Sequence, residues 1–202
     1  MLMMQVGLFL SILLVANGQS VDSGTGISGI PSREPSRLRA DAIHGRLTGQ
    51  ALDLGMGEGR NTIFLAQQAW DATGVDVSDV AVAQAKTRAT HAHVSITAIV
   101  DDLDHYELGK NKWDLVALFY MHASDQGAKP ERPARLVAAL KPGGLLVVEG
   151  FAGQEKFMFQ SKELLRDFHG LRVLRYEDIY DEADWAPGHR SRIIRFVAEK
   201  MK

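Results

Sequence analysis

The sequence predicts an α/β fold, with a doubly wound, mostly parallel sheet of seven strands and an antiparallel strand pair at its C-terminal edge. Three observations carry that expectation. First, the stretch Gln50 to Asn61 opens as a short apolar run and breaks into glycines at 55, 57 and 59. It re-emerges as a helical pattern from Thr62 to Trp70. Second, apolar runs and helical patterns alternate with short connections as far as Glu149, so the sheet should be parallel and covered on both faces. Third, the tail carries two strand-like runs with no helix between them, which can pair antiparallel.

Each element follows from its own pattern. Leu38, Ala42, Ile43 and Leu47 stand at helical spacing and predict a first helix ending near Gly49. The apolar run ending at Leu54 predicts strand one. Ala72 to Val77 predicts strand two, closing on Asp76. Ser78 is placed to cap a helix reaching about Thr90, with Asp79 in its positive first turn. His93 to Val100, largely β-branched, predicts strand three, ending at Asp101-Asp102. Trp113 to Tyr120 predicts strand four. Leu136, Val137 and Leu140 share one face of a helix over 131–140, and Lys141-Pro142-Gly143-Gly144 stops it and delivers strand five, Leu145 to Glu149. A helix around Lys162–Phe168 precedes the last two strands, Leu171–Tyr176 and Arg192–Ala198. Only right-handed crossovers need be considered. The whole is a Rossmann-like arrangement.

Composition limits the function. At 202 residues, with 46% hydrophobic and 24% charged, the chain suits one domain with a sizeable core. Net charge is −2, from 23 basic and 25 acidic residues, which disfavours a nucleic-acid partner. The absence of cysteine excludes a disulfide framework, a thiolate metal site and a cysteine nucleophile. No metal site is expected: His91 and His93 lie before strand three, away from the strands' C-terminal ends, and read as surface residues.

The N-terminus stands apart. Leu2 to Ala16 is apolar apart from Gln5 and Ser11, and no Lys or Arg precedes Arg33. The run resembles the core of a signal peptide but lacks its positive start. It is also short of the ~20 apolar residues that a spanning helix needs. An export signal, a membrane anchor and an upstream extension all stay open. Residues 17–32 are rich in Gly and Ser and read as linker. The expected organisation is therefore an apolar segment and linker over residues 1–30, then one domain over 31–202. Contact with a membrane is expected only through residues 2–16, and the oligomeric state is left open.

The chemistry centres on the glycine turn. Strand, glycine turn and helix bring backbone N–H groups and a helix N-terminus against a ligand. The dinucleotide fingerprint wants G-x-G-x-x-G. Here the third glycine comes one residue early and Arg60 stands in its place, so the pattern is Asp53-x-Gly55-x-Gly57-x-Gly59. A tight turn alone would need fewer glycines. Arg60 could be a solvated first-turn residue, yet its charge opposes the helix dipole there, which hints at a partner.

That pattern resembles the first motif of class I S-adenosylmethionine-dependent methyltransferases, and the order of features is similar across roughly residues 35–202. Asp76 stands at the end of strand two, where that family places an acidic residue. Within the class, the chain looks most like the tellurite-resistance and thiol methyltransferases. That likeness rests on Gly57-Glu58-Gly59-Arg60-Asn61, on Phe157-x-Phe159 before Glu163-Leu164-Leu165, on Tyr176-Glu177-Asp178, and on Arg192-Ile193-Ile194-Arg195-Phe196. The resemblance implies S-adenosyl-L-methionine as cofactor. It sets Gly55, Met56 and Gly57 along the amino-acid moiety, with Asp53 nearby. Asp76 would take the ribose hydroxyls, with Val77 beside it, and Asp102 and Leu103 would border the adenine. Phe119 and Tyr120 would face the methyl group and the substrate. The tellurite enzymes carry a His-Arg pair ahead of the last strand. This chain has Asp181-Glu182-Ala183-Asp184-Trp185 there, with His189-Arg190 later, so the tellurite substrate does not carry over.

The expected function is methyl transfer to a small molecule, since about 170 residues leave little room for a substrate domain. The alternative is a module of the same fold that holds the cofactor without chemistry. A nicotinamide-linked oxidoreductase is weakened by the missing third glycine of its fingerprint. No general base is evident. His122 reads as a structural loop histidine, and His189 and Arg190 as part of a basic edge. A soft anionic or readily ionised acceptor needs no such base. It would be steered by Arg60 and Arg192 and aligned by Tyr120, which are the expected catalytic residues. Because the cofactor is made in the cytoplasm, action there, free or tethered to the membrane, is expected.

Overall fold

In the computed structural model, residues 36–121, 131–155, 158–184 and 188–202 are described. All fall within the unit Pro31–Lys202. The expected segment over residues 1–30, His122, Phe157 and Trp185 lie outside the described residues.

Helix α1 (Arg37–Ile43) leads into β1 (Gln50–Leu54), which the glycine turn joins to α2 (Arg60–Gln67). Then follow β2 (Asp71–Asp76), α3 (Asp79–His91), β3 (Thr97–Val100) and β4 (Trp113–Phe119). The chain continues through α4 (Arg132–Ala139), β5 (Leu140–Phe151), α5 (Glu163–Asp167), β6 (Arg172–Glu182) and β7 (Arg190–Glu199). The seven strands form one sheet in the order β3-β2-β1-β4-β5-β7-β6. The first five neighbours pair parallel, while β7 runs antiparallel to both β5 and β6.

Strand alternation sorts the core onto two faces. Leu52, Leu54, Val116, Leu118, Leu146 and Val148 point one way, into a cluster with Leu136 of α4 and Leu164 of α5. Ala51, Leu115, Ala117, Phe119, Leu145 and Val147 point the other way, against Leu38 and Ile43 of α1 and Leu65 of α2. That period of two, with helices on both faces, is what a doubly wound sheet requires. The fully buried Trp113 satisfies its indole by donating to the Leu108 carbonyl at 2.7 Å.

Four elements differ most from the sequence expectation. α1 ends at Ile43 rather than near Gly49, because Gly45 turns the chain at a positive φ of 73°, and Leu47 is left outside the helix and exposed. β3 begins at Thr97 rather than His93, because α3 runs to His91 and His93 turns the chain at a positive φ of 56°. β5 is longer than expected, since Gly143 and Gly144 exchange backbone hydrogen bonds with Lys200 and lengthen the ladder beside β7. β6 runs on to Glu182 for the same reason: ten residue pairs with β7 hold it extended. α4 does stop at Ala139, just before the Lys-Pro-Gly-Gly stretch.

Candidate active site

The order of strands places β1 beside β4 at the point where the winding reverses, and open α/β sheets bind ligands beyond the strands' C-terminal ends at that point. Gly55, Gly57 and Gly59 all take left-handed φ values, of 70°, 54° and 79°. Only glycine adopts three such turns in five residues at little cost. The Gly55 and Met56 amides both donate to the Val75 carbonyl of β2, so the loop is tied across the sheet. A side chain at Gly59 would strike Ala85 of α3, whereas one at Gly57 would meet nothing within 4 Å. Gly57 therefore faces open space, and Gly59 serves helix packing.

Asp76, at the end of β2, is held toward that opening. Its carboxylate accepts from the Gly57 amide at 2.8 Å and the Ser78 amide at 2.9 Å, one oxygen each. A carboxylate offers about four lone-pair sites, so roughly two remain for a ligand. Val77 and Val100, at the ends of β2 and β3, are 67% and 51% exposed and make an apolar border beside it. Asp102 is exposed and caps the turn after β3 by accepting from the Asp104 amide. Leu103 turns its side chain into the core, in the cluster with Leu54 and Val75. Met56 is likewise buried, against Val82 and Ala85.

Beneath the loop, Asp53 is 1% exposed and accepts from the Thr62 hydroxyl of α2 at 2.7 Å. Arg60 opens α2, where a positive charge opposes the dipole. Burial pulls its pKa below the ordinary guanidinium value, against the opposing pull of Asp184, Tyr120, Asp53 and Glu149. Its Nη1 is buried and has no hydrogen-bond partner among the described residues.

Tyr120 follows β4 with a positive φ of 57°, an uncommon conformation for a non-glycine residue and one that concentrates at functional sites. Its amide donates to the Glu149 carbonyl at 2.7 Å, and its hydroxyl donates to the Glu149 carboxylate at 2.8 Å. Its ring packs on Phe151 at a centroid distance of 5.0 Å. Glu149 is fully buried, and its second oxygen accepts from Arg195 Nε at 2.8 Å. Arg195 also reaches Asp181 at 2.8 Å. Burial works against the Arg195 charge, but the bonds from Glu149 and Asp181 outweigh it and hold its pKa above the ordinary value. Phe119 is buried beneath, and the neighbouring Met121 lays its side chain over Gly55.

Tyr120, Arg60 and Asp53 are thus brought together beside the glycine loop. Arg192 is not part of that group. Its fork is bound to Asp178 at 2.6 and 2.7 Å and to Ser161 at 2.5 Å, across the β6–β7 pair. Its charge is consumed in joining the two strands. His189 is exposed in the turn between them. Sequence reasoning missed Glu149, Arg195 and Asp184. Glu149 and Arg195 did carry a signal, each being a lone charge inside an apolar strand, where burial demands a partner. Asp184 carried none.

A glycine loop, a carboxylate at the end of β2 and an open C-terminal edge on this sheet define the fold of the class I, S-adenosylmethionine-dependent methyltransferases. Residues 51–144 match the family model described as a methyltransferase domain. TehB from Haemophilus influenzae superposes with a TM-score of 0.68 at 18% identity, covering 80% of this chain and 60% of that one. An S-adenosylmethionine-dependent methyltransferase from Methanosarcina mazei superposes with a TM-score of 0.67 at 15% identity, covering 83% and 99%. In sequence, Hemagglutinin 1 of Eikenella corrodens is 28% identical over 137 residues, 64% of this chain and 46% of that protein. The chain therefore spans less than half the length of that relative and under two thirds of TehB.

Proposed function

We propose that the chain is an S-adenosylmethionine-dependent methyltransferase. Its acceptor is a small molecule that arrives as an anion or ionises readily near neutral pH, such as a thiol or a soft oxyanion. Arg60 is the observation that carries this reading. A buried donor left without an acceptor is costly, and such groups persist where a ligand completes them.

The residues fit the cofactor. Gly57 leaves the space, Asp76 keeps lone pairs for two ribose hydroxyls, and Val77 and Val100 offer an apolar border for a base. The cofactor supplies a methyl group already activated on a sulfonium, so the protein's task is alignment and exclusion of water. The turn from Gly55 to Gly57 would carry its amino-acid end, with Asp53 beneath the turn. Arg60 faces the anion, a role it holds without Arg192, which is bound to Asp178 and Ser161 across the β6–β7 pair. Among the described residues beside Tyr120, no histidine stands ready to take a proton. Both oxygens of Glu149 are engaged, and burial first, then Glu149, holds the Tyr120 phenol protonated, above its ordinary 10.0. An acceptor that is already ionised suits such a site.

Release of S-adenosylhomocysteine over a panel of thiols, phenols, amines and oxyanions tests the proposal. Turnover confined to alcohols or amines would defeat the acceptor class. Calorimetric binding of S-adenosylmethionine with no turnover on any member would favour the non-catalytic module instead. The chain's action is expected in the cytoplasm, where the cofactor is made.

A further inference from the structure

The far end of the glycine loop is its most pliable stretch. Glu58 stands between Gly57 and Gly59, whose left-handed φ values are ones that glycine is free to leave. The Gly59 amide closes the turn on the Met56 carbonyl at 3.0 Å, and the tip is then held from outside, by α3. Arg88, in the last turn of α3, donates from Nη1 to the Glu58 carboxylate at 2.6 Å, across 30 positions of sequence. The same helix is capped by Ser78, whose amide donates to the Asp76 carboxylate at 2.9 Å. Between these two anchors, Ala85 packs against Gly59, where a Cβ would come within 2.8 Å. One helix thus holds both the loop and Asp76. They meet in the bond from the Gly57 amide to Asp76 at 2.8 Å, and its donor is the residue just before Glu58.

We infer that Arg88 is a positioning residue for the cofactor: through Glu58 it keeps the glycine loop in its binding form before the ligand arrives. The inference rests on the cofactor assignment above. Without the tether, Gly57 and Glu58 spread over more backbone conformations, and the ligand has to restore the order on binding. Apparent affinity then falls with the fraction of molecules that hold the competent form. The side chains of Arg88 and Glu58 are 28% and 40% exposed, so the pair has the modest strength of a solvated ion pair. That strength decides little about the fold as a whole. It is enough to bias a turn made of glycines.

Arg88→Ala, Glu58→Ala and the double variant test this by calorimetry with S-adenosylmethionine and S-adenosylhomocysteine. Alanine keeps α3 a good helix former and leaves no group to rebuild the tether. Each single variant should weaken both ligands alike, by about 2- to 5-fold, because the tether acts on the loop and not on the ligand's charge. The double variant should bind no more weakly than either single one, since the same pair is broken once. A direct field of these charges on the sulfonium acts differently. Loss of Glu58 would then weaken the positive ligand, and loss of Arg88 would strengthen it. Opposite shifts, a loss confined to S-adenosylmethionine, or additive losses in the double variant would overturn the inference and leave the cofactor assignment standing. So would unchanged affinity beside a lowered urea midpoint, the mark of a pair that only steadies the helix. Failure of the unsubstituted protein to bind either ligand would overturn both. Should one single variant fail to fold, the other decides alone by its effect on the two ligands.

Discussion

At the scale of single residues, Gly57 and Gly74 make a useful contrast. Gly57 has a left-handed φ of 54° and nothing within 4 Å of a would-be side chain. Gly57→Val should cost roughly 1–2 kcal/mol of stability through the backbone alone, yet abolish cofactor binding because the side chain takes the ligand's place. Unchanged affinity in calorimetry would remove the loop from the site. Gly74 is the reverse case. A Cβ there would lie 2.0 Å from Met56 Sδ and 2.8 Å from Thr62 Oγ1. Gly74→Ala should destabilise by about 1–3 kcal/mol, the scale of overpacking, read by urea unfolding. Asp76→Ala should weaken the cofactor by roughly 1.5–3 kcal/mol, and less for a ligand lacking the ribose 2′-hydroxyl. For catalysis, His122→Ala and His189→Ala should each lower kcat by less than the ~10²-fold expected for a lost base. Tyr120→Ala should lower it further, through lost alignment.

At the scale of elements, the β6–β7 pair is an assembly of charges. The Arg192 guanidinium holds the Asp178 carboxyl below its ordinary 3.8, and a backbone bond from Glu182, then Arg195, does the same for Asp181. Arg172 holds Glu199 below its ordinary 4.5. Each of these pKa values is lower in the folded state than in the unfolded chain. Their stabilisation is therefore complete above the ordinary carboxylate range and is lost as pH falls through the depressed folded values. The melting temperature should fall as the pH drops below about 4.5, and Asp178→Asn should flatten that fall. An acid profile identical to that of the unsubstituted protein would show that the Asp178 pair contributes nothing. The buried Glu149–Arg195 pair between β5 and β7 belongs to a different class. Arg195→Met leaves a buried carboxylate without its counter-charge and should cost roughly 3–5 kcal/mol in urea unfolding.

At the scale of the whole molecule, α1 is held by residues far along the chain. The Ser36 amide donates to Asn61, and Arg37 donates to Asp184 from both its amide and its side chain. Leu38 and Ile43 are buried in the core cluster on that face of the sheet. A chain beginning at Gly29 should therefore fold, bind the cofactor and be more soluble than the full chain. A chain beginning at Gly49 should lose the burial of both apolar side chains, about 1.5–3 kcal/mol each, and bind the cofactor poorly. Circular dichroism and calorimetry on the two truncations separate these outcomes. Loss of folding in the first would make the N-terminal segment part of the domain.

The sequence by itself determined the elements, their alternation, the antiparallel tail and the glycine loop with Asp53 and Asp76. All of these are recorded locally. Strand and helix periodicity report burial along one element, and three alternating glycines report three left-handed turns. Only the tertiary structure decided which charges meet. Glu149 and Arg195 lie 46 positions apart, and Arg37 and Asp184 lie 147 apart. No local pattern distinguishes Arg192, consumed by Asp178, from Arg60, left with an open donor. A side chain's periodic position says which face it lies on. Its hydrogen-bond partner depends on distances across the folded sheet, and those exist only once the strands have taken their order.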